Sequence, residues 1–196
     1  MTQRTYDRIL KEATWLFAQR GYSASSMREL ANAVGIRKAT LYHHVSSKEE
    51  LLFQIMYRLA KQMHESIKPL LHNSEITSAD KIRQALKIHF DSIATNRLEV
   101  TIAVLERRTL SGEYRQKVRE AVTQYETDFQ NLIAEGIKRG EVVDMDMAVA
   151  TQAILSMCNS IVQWYSPSSG YSMDEIASML TNIILRGILN NELKTR

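Results

Sequence analysis

Residues Ser26–Leu52 read SMRELANAVGIRKATLYHHVSSKEELL, and the order of residue types in this stretch decides the fold. Met27, Leu30, Ala31 and Val34 recur at i, i+3, i+4 and i+7 and make one apolar stripe on a short helix. Ser26 with Glu29 three residues on is a capping box that fixes where this helix starts. Gly35 follows Val34 directly, where a residue of positive φ closes a helix without steric cost. Ile36 then returns to the core. Arg37, Lys38 and Thr40 open a second short helix whose apolar residues are Leu41 and Val45. Its leading side chains are short or basic, which suits a helix whose first residues enter the major groove while its neighbours bond phosphate. Tyr42, His43 and His44 supply a phenol and two imidazoles as phosphate or sugar partners. Ser47 and Glu50 form a second capping box, so Lys48 stands in the first turn of the next helix, where its charge opposes the helix dipole. A cation set against the dipole implies an anionic partner.

The longer run GYSASSMRELANAVGIRKATLYHHVSSKEEL, Gly21–Leu51, resembles the DNA-binding domain of the TetR family of one-component bacterial regulators. The resemblance extends from about Arg4 to about Met56. The family's L-Y-x-H-F-x-S/N-K-E-x-L segment is present almost letter for letter, with Val45 where Phe is usual. Candidate DNA contacts are therefore Ser26, Met27, Arg28, Arg37, Lys38, Ala39, Thr40, Tyr42, His43, His44 and Lys48. The fold expected is all-α, with an N-terminal three-helix helix-turn-helix domain at 1–47 and a C-terminal helical bundle at 48–196 for ligand binding and dimerisation. A connecting helix over 48–68 joins them.

Composition agrees with that division. A chain of 196 residues, 44% of them hydrophobic, buries a sizeable core, and 7 Gly with 2 Pro are too few breakers for an all-β fold. Residues 1–50 hold Arg4, Arg8, Lys11, Arg20, Arg28, Arg37, Lys38 and Lys48 against Asp7, Glu12, Glu29, Glu49 and Glu50, which accounts for the whole formal charge of +3. The excess positive charge thus lies in the part expected to meet phosphate. A single cysteine, Cys158, excludes an internal disulfide framework. With neither a signal-type nor a membrane-length apolar run, a cytoplasmic protein without membrane contact is expected.

The first helix runs from about Gln3 to Arg20 on the stripe Ile9, Ala13, Leu16 and Phe17, and stops at Gly21. The helix opening at Lys48 carries Leu51, Leu52, Ile55, Met56, Leu59 and Met63 before it meets Pro69. Further helical patterns start at Ser78 and at Ser111, the latter ended by Gly136 and Gly140. Over Asp146–Tyr165 two apolar stripes, one through Ile154 and Ile161 and one through Leu155, Cys158 and Val162, lie roughly 100° apart, more than a surface helix needs. After the S-P-S-S-G loop, Ser172 and Glu175 cap a last helix that is also apolar on more than one side. These two helices are expected to pair with their symmetry mates in a four-helix homodimer interface containing Leu155, Cys158, Val162, Leu180, Ile184 and Gly187.

Catalytic and metal sites are not expected: none of the five His stands in a His-Glu-x-x-His or Glu-x-x-His spacing, and no Gly-rich phosphate loop occurs. Cys158 lies within an apolar stripe and fits a packed thiol better than a nucleophile. His89 on an apolar face fits a satisfied core histidine better than a ligand contact. No resident cofactor is expected. The family resemblance implies a small-molecule effector inside the large domain whose occupancy releases a palindromic operator. The segment NSIVQWYSP, Asn159–Pro167, is similar to TetR-family members that respond to acyl-CoA thioesters. Phe90, Ile93, Val104, Tyr125, Phe129 and Trp164 can line an apolar slot for such a ligand, and Arg107 and Arg108 can meet CoA phosphates. The same aromatics equally fit ordinary core and the arginines a solvated helix end, and an uncharged aromatic or lipid-like inducer is the alternative effector. A helical enzyme would leave the N-terminal motif without a purpose. A protein-binding module on a helix-turn-helix shape would not need its basic residues.

Overall fold

In the computed structural model, which describes residues 3–166, 168 and 170–190, the described residues are helical throughout their regular structure. The elements are α1 Gln3–Arg20, α2 Met27–Val34, α3 Lys38–Tyr42, α4 Lys48–Leu71, α5 Ser78–Thr95, α6 Arg97–Leu105, α7 Gly112–Lys138, α8 Met147–Trp164 and α9 Met173–Ile188. The all-α expectation holds. Pro167 and Ser169 of the S-P-S-S-G loop lie outside the described residues.

Local chemistry sets most helix ends where the sequence put them. Gly21 ends α1 at φ 82. Ser26 and Glu29 form the reciprocal capping box of α2, and Ser172 and Glu175 that of α9. Beyond α2, Gly35 at φ 72 donates to Asn32 and Ile36 donates to Ala31, both at 3.0 Å, so the turn is a Schellman motif that glycine completes without a Cβ penalty. Three ends differ from expectation. At α4, Ser47 Oγ accepts the Glu50 amide at 3.0 Å, but the Glu50 carboxylate takes the amide and hydroxyl of Ser46, both at 2.6 Å, so the box closes one residue early on the better pair of donors. The same helix continues through Pro69 to Leu71, because Ile67 and Leu70 are buried and hold the final turn in place. Gly136 lies inside α7, and Gly140 at φ 72 is the real stop.

Gly136 has a packing reason instead. Val142 folds back on it, donating to its carbonyl at 3.1 Å, and a Cβ at residue 136 would stand 2.5 Å from Val142 Cγ2. Gly136→Ala is expected to cost about 1–3 kcal/mol as an overpacked site, read as a lower urea midpoint, and Val142→Ala in the same chain should return most of it. An unchanged midpoint for Gly136→Ala would remove this account.

The chain divides into two compact units. Unit 1 comprises Met1–Ala60 and Asn96–Ala121. Its core joins Ile9, Leu16 and Phe17 of α1, Leu30 and Val34 of α2, Leu41, Val45, and Leu51, Leu52 and Ile55 of α4 to Ile102, Leu110 and Val118. Three helices of under fifty residues bury little apolar area by themselves, and here α6, packed on α1, and the start of α7 complete their core. Phe53 stacks on Tyr114 at 4.6 Å.

Unit 2 comprises Lys61–Thr95 and Val122–Arg196. Ile67, Ile82, Leu86, Phe90, Phe129, Ile133, Cys158 and Ile161 are among its buried side chains, and α5 packs on both α8 and α9. Within it, Lys81, only 3% exposed at its side chain, meets Glu135 at 2.7 Å, and Glu135 also holds Arg139 at 3.0 Å.

Candidate nucleic-acid interface and effector core

The candidate DNA-reading surface is built by anchoring α3 from beneath. Leu41 and Val45 are buried at 0% and 2%, so the rest of the short helix faces outward. Arg37, Lys38, Ala39, Tyr42 and His43 are exposed, while Thr40 and His44 are half-buried. Lys38 Nζ lies 5.8 Å from the centre of the Tyr42 ring. On α2, Ser26 and Arg28 are exposed, but Met27 faces the core. Its side chain, expected among the DNA contacts, is committed to packing because it begins the apolar stripe. Arg8 donates to the Val34 carbonyl and ties α1 to the end of α2. Arg20 pairs with the capping residue Glu29 at 3.0 Å.

Lys48 stands at the start of α4, half-buried, with Nζ 4.2 Å from the centre of the Tyr22 ring and 6.0 Å from that of Phe17. Burial draws its pKa below the usual lysine value, and Glu106 and Glu29 oppose that by favouring the charged form. Burial, with Glu49 and Glu106 nearby, holds the Tyr22 phenol above its ordinary value. Neither Tyr22 nor Glu106 stood out in the sequence. Their relation to Lys48 spans tens of residues and leaves no periodic trace.

In unit 2, Phe90, Ile93, Tyr125 and Phe129 are packed, none more than 5% exposed. His89 lies among them. Its Nδ1 is 2.7 Å from the Tyr125 hydroxyl and its Nε2 is 3.2 Å from Asn159 Oδ1. Because the amide oxygen can only accept, Nε2 carries the proton and the Tyr125 hydroxyl donates to Nδ1, which leaves the imidazole neutral with both nitrogens satisfied. Burial pushes the His89 pKa down to about 4, opposed by the bond to Asn159. Cys158 is buried, and burial pushes its thiol up to about 12, as befits a packed cysteine.

The sign of the His89 shift gives a pH prediction. The unfolded chain protonates this residue near its ordinary value of 6.5 while the folded chain resists down to about 4. Its contribution to stability is therefore present above pH 6.5 and lost as pH falls through that window, at up to about 1.4 kcal/mol per pH unit. Urea unfolding at pH 7 and pH 5 should show a larger loss in the unaltered protein than in His89→Gln. Equal losses would mean that His89 does not resist protonation.

Three of the effector candidates lie elsewhere. Val104 is half-buried, and Arg107 and Arg108 are exposed on the turn after α6; all three belong to unit 1. The apolar candidates Phe90, Ile93, Tyr125 and Phe129 belong to unit 2. Trp164 belongs to unit 2 but is 53% exposed and donates to Ser160 Oγ at 3.2 Å.

The expected interface residues also divide. Leu155, Cys158 and Ile184 are buried within the chain itself at 5%, 0% and 4%. Val162 and Leu180 are half-buried, and Gly187 is exposed. Two apolar stripes at about 100° do not reveal how much of each the chain's own core takes, and the core takes Ile154 and Ile161 from one and Leu155 and Cys158 from the other. What remains outward on α8 is Met147, Val149, Met157 and Trp164, along a shallow groove lined by Ala148, Val149, Gln152, Ala153 and Ser156. On α9 it is Met179 and Ile183. Among the described residues no helix is long and apolar enough to cross a membrane, and no three metal-ligating side chains gather.

Comparison with known proteins bears on both halves of the chain. The family model "Bacterial regulatory proteins, tetR family" matches residues 9–55, and "Tetracyclin repressor-like, C-terminal domain" matches residues 75–188. The fatty acid metabolism regulator protein of Bacillus subtilis is 25% identical over 94% of this chain and 96% of its own length. The crystal structure of the TetR family transcriptional regulator PfmR from Thermus thermophilus superposes with a TM-score of 0.84 at 31% identity, covering 92% of this chain and 98% of that one. The structure of AibR in complex with isovaleryl coenzyme A and operator DNA superposes at 0.82 with 27% identity, covering 91% and 97%.

Proposed function

The chain belongs to the TetR family of bacterial regulatory proteins, and on that premise we propose that it acts as a homodimeric repressor released from a palindromic operator by a hydrophobic effector of the acyl-CoA class. As a member of that family it is a DNA-binding transcriptional regulator and not an enzyme. The observation that carries the DNA reading is α3: Leu41 and Val45 fix it from below, and Arg37, Lys38, Ala39, Tyr42 and His43 face outward. A short helix held in this way can put its first residues against base edges while Tyr42, His43 and Lys48 meet phosphate. Residues 1–47, with Lys48 at the start of α4, carry that contact, and the rest of 48–196 the effector and the dimer. The location is cytoplasmic.

The outward apolar residues of α8 and α9 support the dimer, because a two-fold axis there covers the same six side chains of both protomers and forms a four-helix interface. The effector reading rests on Phe90, Ile93, Tyr125 and Phe129, an apolar core with the His89, Tyr125 and Asn159 hydrogen bonds at its centre. Those side chains are packed, so a ligand enters by parting them, and the polar centre offers bonds to a thioester carbonyl. The names of the Bacillus regulator and of AibR with its isovaleryl coenzyme A support an acyl thioester as the class.

Titrating acyl-CoAs of graded chain length, and uncharged hydrophobic compounds, into the protein–operator complex tests the effector. A CoA thioester should release the DNA, and Phe129→Ala should shift the preferred chain length. Release by uncharged compounds alone would replace the acyl-CoA reading with that of a lipid-like or aromatic inducer. Changing Lys38 or Thr40 to Ala should alter which base pairs are preferred, with about 1–3 kcal/mol lost at the affected position. An unchanged base preference would take those residues out of the readout.

A further inference from the structure

Glu106 follows α6 directly, and its carboxylate is bonded at both oxygens inside unit 1. Oε1 accepts the Tyr22 amide at 3.0 Å and Oε2 accepts the Thr109 hydroxyl at 2.7 Å. Tyr22 lies in the turn between α1 and α2, and its ring carries the Lys48 ammonium 4.2 Å from its centre. One residue thus holds the carboxylate after α6 through its amide and the first cation of α4 through its ring. A second clasp adjoins it: Glu49, next to Lys48 in the chain, accepts the amide and hydroxyl of Ser111 at 2.7 and 2.8 Å. The stretch from Glu106 to Ser111 is therefore fixed at both ends to residues that surround Lys48.

We propose that Glu106 is a positioning residue for DNA binding, which pins Tyr22 and holds the Lys48 ammonium back on the Tyr22 ring, so that an operator phosphate must draw Lys48 away from it. This rests on the reading of Lys48 as a phosphate contact. The physical reason is competition for one cation. An ammonium on an aromatic face with a carboxylate nearby is already partly satisfied, and only the surplus attraction to phosphate contributes to binding. Because Glu106 directly follows α6, which packs on α1, a shift of α6 moves the anchor of Lys48 and changes the strength of that competition without touching DNA.

Glu106→Gln separates the charge from the hydrogen bond, since the amide oxygen still accepts from Tyr22. Affinity and salt dependence would be measured on a duplex selected by the unaltered protein, for Glu106→Gln, Lys48→Ala and the double variant, with Glu113→Gln, an exposed acid of the same unit, as control. Glu106→Gln should bind about three- to tenfold more tightly and steepen the salt slope by up to about 0.9. On the Lys48→Ala background the gain should vanish, and Glu113→Gln should show little. An equal gain with and without Lys48 would reduce the effect to deletion of any acid near DNA and overturn the proposal. If Lys48→Ala alone left affinity and slope unchanged, the phosphate reading would fall first and the role of Glu106 with it.

Discussion

Glutamate placed at both Met157 and Ile183 should leave the protein folded, make it a monomer and reduce operator binding to the non-specific level. The two residues are 39% and 58% exposed in the single chain, so a charge there remains in water and costs the protomer little. Across a two-fold interface the same charges would be desolvated and set against their own symmetry copies. Operator affinity depends on two reading helices engaging together, and a protomer with one half-site forfeits on the order of 10³-fold or more. Sedimentation at micromolar concentration should find two chains for the unaltered protein and one for the double variant, with the same far-ultraviolet helix signal. Leu155→Asp gives the contrast: that side chain is buried inside the chain, and its replacement should lower the unfolding midpoint itself. A double variant that stays dimeric would move the interface off α8 and α9.

Glu135→Ala should destabilise unit 2 by about 3–5 kcal/mol. The Lys81 ammonium bonds both Glu135 oxygens, at 3.0 and 2.7 Å, and its side chain is 3% exposed. Removing the carboxylate leaves a buried cation with its partner gone, which costs far more than the net worth of the pair. Lys81→Met in the Glu135→Ala chain should recover much of the loss, because it replaces the stranded charge with an apolar stem of similar length. Urea unfolding of the two variants gives the comparison. A loss below about 1 kcal/mol for Glu135→Ala would place the pair among ordinary surface ion pairs.

The helix-turn-helix was legible because its determinants are local. Ser26, Glu29 and Gly35 each act within four residues of their partners, and the apolar stripes of α2 and α4 have one buried face. Legibility failed where a choice depended on distant chain. Gly136 looks like a terminator until Val142 is seen to fold back on it. Met27 reads equally as stripe and as contact until the core of unit 1 is seen to include it. The two stripes of α8 are visible in the sequence, but α5 packs on α8 and the core of unit 2 takes residues of both, Ile154 and Ile161 with Leu155 and Cys158, a division no local spacing shows. Tyr22 and Glu106 are 84 positions apart, and no local pattern links them; likewise adjacency in sequence does not tell that the turn carrying Arg107 and Arg108 belongs to unit 1.

Two copies of α3, related by a two-fold axis, are expected to read DNA. Selection of bound duplexes from a random-sequence pool by the full-length protein, at a salt concentration that suppresses non-specific binding, tests it most directly. The expected result is enrichment of an inverted repeat whose half-sites are centred roughly 34 Å apart, one helical turn or a multiple of it. A pool that remains random after repeated rounds, although the protein is folded and dimeric, would contradict it.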